Sequence, residues 1–251
     1  RRSTTATLAG WEMSQLEGRL IADPKTHHVH VRDAVAVAYG GEATGEAEID
    51  LHHSDVTYQA SIVARDLKLR SFLESLGGET DDETHGTIRG NLILQGRGGS
   101  RGYREGAGEL FVAGAQVWRM PIVFAIFQVL NLTPDKNVFH DGWIKYFISR
   151  NTLTFQKIDL QGKAVSFVGG GMMDMRTKQL DVRLLAGSPL RLRLPILTDL
   201  LEGASRELME VRLTGTFQEP TIEPQPLKSL AKALKRIFPE APRAQSHLPS
   251  G

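Results

Sequence analysis

Between His28 and Leu51 the chain reads "HVHVRDAVAVAYGGEATGEAEIDL", small or apolar residues alternating with polar ones on either side of a glycine pair. Alternation with a period of two marks a half-buried β-strand, because successive side chains of an extended chain point to opposite faces. The pattern puts Val35, Val37 and Tyr39 on one face, turns the chain at Gly40 and Gly41, and repeats with Ala47, Ile49 and Leu51. An antiparallel hairpin is the expected result.

The same period recurs outward from this segment. It places Val56, Tyr58, Ala60 and Ile62 on one face of "VTYQASIVARDLKL", Ile88, Leu92 and Leu94 in "TIRGNLILQG", and Leu110 and Val112 in "GELFVAG". Further on, Ile144, Tyr146 and Ile148 lead to a turn at Arg150 and Asn151, where asparagine accepts a left-handed backbone, and Leu153 and Phe155 return. Val165 and Phe167, the triple glycine Gly169 to Gly171, and Leu180, Val182 and Leu184 complete the series. The connections are short, whereas a parallel pairing needs a crossover of roughly a dozen residues, so neighbours should pair antiparallel. A glycine also recurs between apolar positions in "LEGRL", "IRGNL", "GAGELFV" and "LTGTF", and glycine inside strands marks bends. The expected fold is mainly β: a long antiparallel meander sheet curved into a taco-like groove, with a few short amphipathic or apolar helices.

Helical spacing is confined to "RSFLESLGG" (Arg70 to Gly78), "MPIVFAIFQVLNL" (Met120 to Leu132), "LPILTDLLEGASRELM" (Leu194 to Met209) and "PLKSLAKALKRIF" (Pro226 to Phe238). The second is apolar nearly all round, yet a helix of that length spans about 20 Å against a hydrocarbon core of roughly 30 Å, so it does not cross a bilayer. Val123, Phe127 and Leu130 are assigned to the sheet, and Ile122 and Phe124 to lipid, membrane or the next module. The last helix sets Leu227, Leu230, Ala231, Leu234, Ile237 and Phe238 against Lys228, Lys232, Lys235 and Arg236. Two readings stand: a basic face on an anionic membrane, or a cap on the open end of the sheet. The acidic "ETDDE" and the glycine-rich "GRGGSRGYREGAG" (Gly96 to Gly108) read as loops, and residues 239–251 as a disordered tail.

Lysine and arginine number 30 against 29 aspartates and glutamates over 251 residues, a formal charge of +1, so no long-range field argues for nucleic acid. There is no cysteine, which removes disulfide and thiolate chemistry. The chain opens on Arg1 and Arg2 with no signal pattern and reads as a piece of a longer protein. Residues 1–238 are expected to form a single module, divisible into halves 1–117 and 118–238.

Five of the eight histidines fall in two groups, His27, His28 and His30, then His52 and His53. His28 and His30 share a strand face, and a site with His53 is geometrically open, but without paired HxxxH or CxxC spacing the favoured reading is exposed strand-end histidines and no metal. Asp81, Asp82 and Glu83 lack the alternating oxygens and central glycine of a calcium loop. Gly96 to Gly108 misses the phosphate-binding spacing, and no GxSxG, HExxH or Walker lysine occurs. No enzyme and no cofactor are expected; a carbohydrate-active site built on a carboxylate pair leaves no local signature and stays open.

Four features in order resemble the C-terminal region of AsmA-like proteins. A glycine-bounded strand leads into an apolar helix (Leu110 to Leu132), and a strand turns at Arg150 and Asn151. A Gly-x-Gly-x-Met-Asp-Met-x-Thr segment then runs into an alternating strand (Gly169 to Leu184), and Gly215 to Pro224 reads Gly-Thr-Phe-x-x-Pro-x-Ile-x-Pro. The resemblance extends from about Trp11 to Phe238; it departs at Asn151, where the family usually has glycine, and in lacking the N-terminal membrane anchor. It implies a periplasmic or cell-envelope module, held at the inner membrane by a segment outside this chain and related to bridge-like lipid carriers of the TamB and YhdP type. The function implied is binding of phospholipid acyl chains in the groove, for lipid transport between membranes or outer-membrane biogenesis, with a membrane surface and other envelope proteins as further partners.

Acyl chains suit such a face, since about 0.8 kcal/mol per buried methylene accumulates without any hydrogen bond. The residues expected to line the groove are Ile144, Tyr146, Ile148, Leu153, Phe155, Val165, Phe167, Leu180, Val182 and Leu184. The alternative is a structural or assembly module that fills its own core and binds protein partners.

Overall fold

The computed structural model describes residues 6–8, 11–23, 25–52, 55–75, 80, 82, 84–98, 102–116, 139–163, 165–187, 208–216, 218–225, 227 and 230–238. Thirteen strands follow one another: β1 (Ala6–Leu8), β2 (Trp11–Asp23), β3 (His28–Ala38), β4 (Gly41–Asp50), β5 (Thr57–Lys68), β6 (His85–Arg97), β7 (Tyr103–Gln116), β8 (Phe139–Ser149), β9 (Thr152–Gly162), β10 (Ser166–Asp174), β11 (Leu180–Gly187), β12 (Met209–Gly215) and β13 (Pro220–Gln225). Among the described residues two short helices accompany them, α1 (Leu69–Ser75) and α2 (Leu230–Ile237).

The strands form one sheet in chain order, each antiparallel to the next, with β1 and β13 as its two edges. It is an unclosed meander, as the alternation and short connections predict. β7 and β8 pair from Glu105 opposite Ser149 to Ala113 opposite Asp141, so the sheet runs without a break past residues 117–138.

Register lines cross the sheet on its apolar, inner face. One rank reads Ala36, Ala43, Ala64, Gly90, Leu110, Ile144, Ile158, Gly169, Leu184 and Val211 from β3 to β12. The next reads Gly45, Ile62, Leu92, Gly108, Tyr146, Phe155, Gly171, Val182 and Leu213. Apart from Val211 and the glycines, these residues belong to one contiguous cluster running from Ala36 to Leu213. The outer face carries charge in ion pairs: Arg32 with Glu46 across β3 and β4 at 2.9 Å, Arg212 bidentate on Asp181 across β12 and β11 at 3.0 Å, and Lys157 with Asp159 along β9 at 3.3 Å. Such division of apolar and charged side chains is what period-two alternation produces when one face is removed from water.

The opening hairpin forms, but its sidedness differs from the expected one. Val35 and Val37 lie outward, 42% and 38% exposed, while Ala36 and Ala38 are buried. The cause is a bulge: Val31 faces Ala47 and Ala34 faces Gly45, so β3 holds one residue more than β4 here, and Asp33 takes φ 51°. One extra residue exchanges the two faces of everything beyond it. Val29 and Val31 face inward before the bulge, opposite Ile49 and Ala47; after it the alanines do. β5 repeats the device at Asp66, φ 53°, so that Ala60, Ile62 and Ala64 are followed inward by Leu67.

The turns also refine the sequence reading. The hairpin reverses at Tyr39 and Gly40, both with positive φ, rather than at Gly40 and Gly41. That pair of signs is the one whose twist matches the flanking strands. At the β8–β9 turn the left-handed residue is Arg150, φ 54°, and not Asn151. Within the segment from Gly96 to Gly108, expected as a loop, Gly96 and Arg97 belong to β6 and Tyr103 to Gly108 to β7, and the two strands pair up to Arg97 opposite Tyr103. Gly169 to Gly171 lie within β10 and carry the register shift against β9.

Among the expected helices, α1 matches the start of the first, and Leu69, Phe72 and Leu73 join the inner-face cluster, Phe72 edge-on to Tyr39 at 5.5 Å. Met120 to Leu132 lies outside the described residues, as do most of Leu194 to Met209 and the tail 239–251; Met209 itself begins β12.

Candidate functional site: the apolar inner face

The expected groove residues come together on the inner face. Ile144 and Leu184 share one rank, Tyr146, Phe155 and Val182 the next, and Ile148, Leu153 and Leu180 a third, with Met173 between the last two and Gly106 beside Ile148. Phe167 sits on the flanking rank between Leu160 and Ala186, and Val165 directly precedes β10. All ten belong to the single apolar cluster. Their burial is uneven: Phe167 is 1% exposed and packs edge-on against Phe139 at 5.5 Å, whereas Ile144, Leu153 and Phe155 are half-buried.

Bulk on this face is accommodated by glycine in the neighbouring strand. A methyl group added at Gly108 would meet the Asn91 carbonyl and stand 2.7 Å from Tyr146 Oη. With no side chain there, the Tyr146 ring crosses β7, and its hydroxyl donates to the Asn91 carbonyl on β6 at 3.1 Å. Gly169 does the same for Leu184, whose Cδ2 would lie 2.6 Å from an added methyl. Only glycine fits at such approaches, which gives the recurring in-strand glycines a packing role besides the expected bending.

Tyr146 is the one ionisable group among the groove residues, and burial pushes its phenol up to about 12. It is therefore neutral at physiological pH, and its polar end is occupied by the Asn91 carbonyl. The other nine present carbon alone. A face of this kind offers area and dispersion contact, with neither a nucleophile nor a charge.

Several inner-face residues escaped the alternation argument. Ile158 and Leu160 face inward because a bulge in β9, between the positions facing Lys145 and Tyr146, exchanges its faces after Phe155. Ala36, Ala38, Ala43 and Ala64 are buried although valines flank two of them, and the only trace in the sequence is the polar pair Arg32–Asp33 where β3 breaks step.

The basic C-terminal residues divide. α2 packs on the outer face, where Ala233 and Ile237 bury against Leu185 with Leu227, Leu234 and Phe238 around them. Arg236 is paired with Glu210, a fully buried carboxylate on β12 that Arg183 also approaches at 3.4 Å. Of the expected membrane contacts, Arg236 is thus turned to the protein's own Glu210, while Lys232 and Lys235 are exposed. The burial of Glu210 depends on α2 docking over it, which its local sequence does not announce. Ile122, Phe124 and Lys228 lie outside the described residues, or their side chains do.

Other polar features are superficial. Gly102, Tyr103, Glu105 and Arg150 line an open depression at one end of the β7–β8 pair. No helix among the described residues is long and apolar enough to cross a membrane. No family model matches the chain, and neither a curated protein nor a solved structure does.

Proposed function

We propose that the inner face binds the acyl chains of a phospholipid or similar lipid, and that the chain is a module of an envelope lipid-transport or outer-membrane assembly protein. The observation that carries the reading is the confluence of Ile144, Tyr146, Ile148, Leu153, Phe155, Val182 and Leu184 on adjacent ranks of an unclosed sheet. The order of strands, helix and glycine-marked segments that resembles AsmA-like proteins supports it. Binding would need no catalytic group: apolar area accumulates along the ranks, and the sites are nearly equal from one rank to the next, so a chain can slide.

A structural or assembly module is the second reading, and the burial of Phe167 favours it, at 1% exposure inside packed carbon. Phe155 separates the two because it is half-buried on the same cluster. Gently purified wild type should release phospholipid in native mass spectrometry, and Phe155→Asp, folded by circular dichroism, should release at least about tenfold less, as a charge in an acyl site is strongly unfavourable. Equal lipid recovery from the folded variant, or lipid-free wild type, would replace the carrier with the structural module. Phe167 is unsuitable for this test, since a charge in so tightly packed a position attacks the core itself.

A further inference from the structure

The histidines of β3 stand at the strand end, as expected, His28 being its first residue and His30 its third. His28 and His30 are two residues apart and stack on the outer face, ring centroids 6.2 Å apart. Directly across the ladder from them stand Asp50 and Glu48 of β4. Ligating atoms of His28, His30 and Glu48 all lie within 4.8 Å of one another. No sequence spacing announces this set, because its third member comes from the partner strand.

We infer that His28, His30 and Glu48 form a binding site for a divalent ion of the zinc class. His28 Nδ1 lies 3.1 Å from Glu48 Oε1. Two donors bound at about 2.0–2.1 Å in a tetrahedral shell stand about 3.3 Å apart, so the pair needs little rearrangement to grip one ion. His28 Nε2 faces Asp50 Oδ1 at 3.9 Å. A carboxylate behind the second ring nitrogen is the arrangement that fixes a ligating imidazole and raises its basicity.

The surroundings favour a cation. Asp23 of β2 stands opposite His28 on its other side, with its carboxyl held below the usual range chiefly by the Lys25 amide that donates to it. Arg32, the nearby cation of the same strand, is engaged by Glu46 at 2.9 Å. Two imidazoles and one carboxylate suit zinc, copper or nickel rather than calcium or magnesium, which require oxygen. The ion would join β3 to β4 and leave a coordination position open to water or to a group from outside.

The test is calorimetric titration of Zn²⁺ into the tag-free full chain in a non-chelating buffer. One equivalent is expected to bind, and the melting temperature to rise with zinc and fall back with EDTA. His28→Gln, His30→Gln and Glu48→Gln should each weaken binding at least about tenfold, and Asp50→Asn by about tenfold, as outer-shell partners do. His52 is outside the proposed ligand set, its ring standing edge-on to that of His27 at 5.5 Å, and His52→Gln should bind as wild type. The altered side chains lie on the solvated face, and circular dichroism checks that each variant folds. Absence of saturable uptake, uptake unchanged in the His28→Gln/His30→Gln double variant, or loss of uptake in His52→Gln would each overturn the assignment.

Discussion

The two ends of the sheet cover opposite faces. At the N-terminal end α1 lies on the inner face against β5 and β6, where Leu69, Phe72 and Leu73 join the cluster that also holds Ala36, Ala38, Ala43 and Ala64. At the C-terminal end α2 lies on the outer face, over Leu185 and Glu210, and the inner face beneath is built of Phe155, Phe167, Leu180, Val182 and Leu184. Among the described residues, the inner face thus carries its alanines in the half where the protein supplies its own helix, beside Ile62, Leu67 and Ile88, and mostly large side chains in the half where α2 packs on the opposite face. Volume explains the difference. A helix packed on a sheet needs room between backbone and axis, which alanine provides, whereas large aliphatic and aromatic residues fill that depth themselves or present it to a ligand.

Truncation at the large end should break this arrangement most severely. Phe167→Ala removes a ring that is 1% exposed and packed against Phe139, and should lower stability by about 3–5 kcal/mol. Urea denaturation measures the loss. A change below about 1 kcal/mol would mean that the aromatic end is loosely filled, and the contrast with the alanine end would dissolve.

The alanine end calls for the opposite substitution. Ala36→Leu adds volume under a covered floor and should cost about 1–3 kcal/mol by overpacking. Val35→Thr, one residue away and 42% exposed on the outer face, should change stability by less than about 0.5 kcal/mol. The pair tests sidedness directly. If Val35→Thr proves the costlier, β3 has no bulge at Asp33 and the valines face inward after all.

That pair also marks where sequence reasoning stops. Alternation identified β3 to β11, their antiparallel order and the large inward residues of β6 and β8 to β11, because within an unbroken strand parity alone decides the face. It failed at Val35 and Val37 because one residue in a left-handed conformation at Asp33 inverts parity, and aspartate in that position looks like any polar outward residue. The valines are also the more hydrophobic set, so the inverted reading was the more attractive one. Likewise the metal-ligating set was half visible: His28 and His30 share a strand, but Glu48 joins them only through the register between β3 and β4. Pairings between strands depend on where bulges fall, and composition does not record that.

The finest difference between the two ends is the buried phenol of Tyr146, since Tyr39 and Tyr58 at the alanine end are only half-buried. Tyr146→Phe removes the hydrogen bond to the Asn91 carbonyl and should cost about 1 kcal/mol at neutral pH. The pH dependence makes the assignment specific. Burial raises the folded-state value to about 12, above the ordinary tyrosine value near 10, so the folded chain keeps a proton that the unfolded chain releases. The wild type therefore loses stability as pH rises above about 10 and through 12, while the phenylalanine variant is spared that term, and the two curves of stability against pH should converge and cross. Parallel curves would place the Tyr146 hydroxyl in water, and with it the inner face at β8, which is the outcome expected of an open trough rather than of a surface already covered.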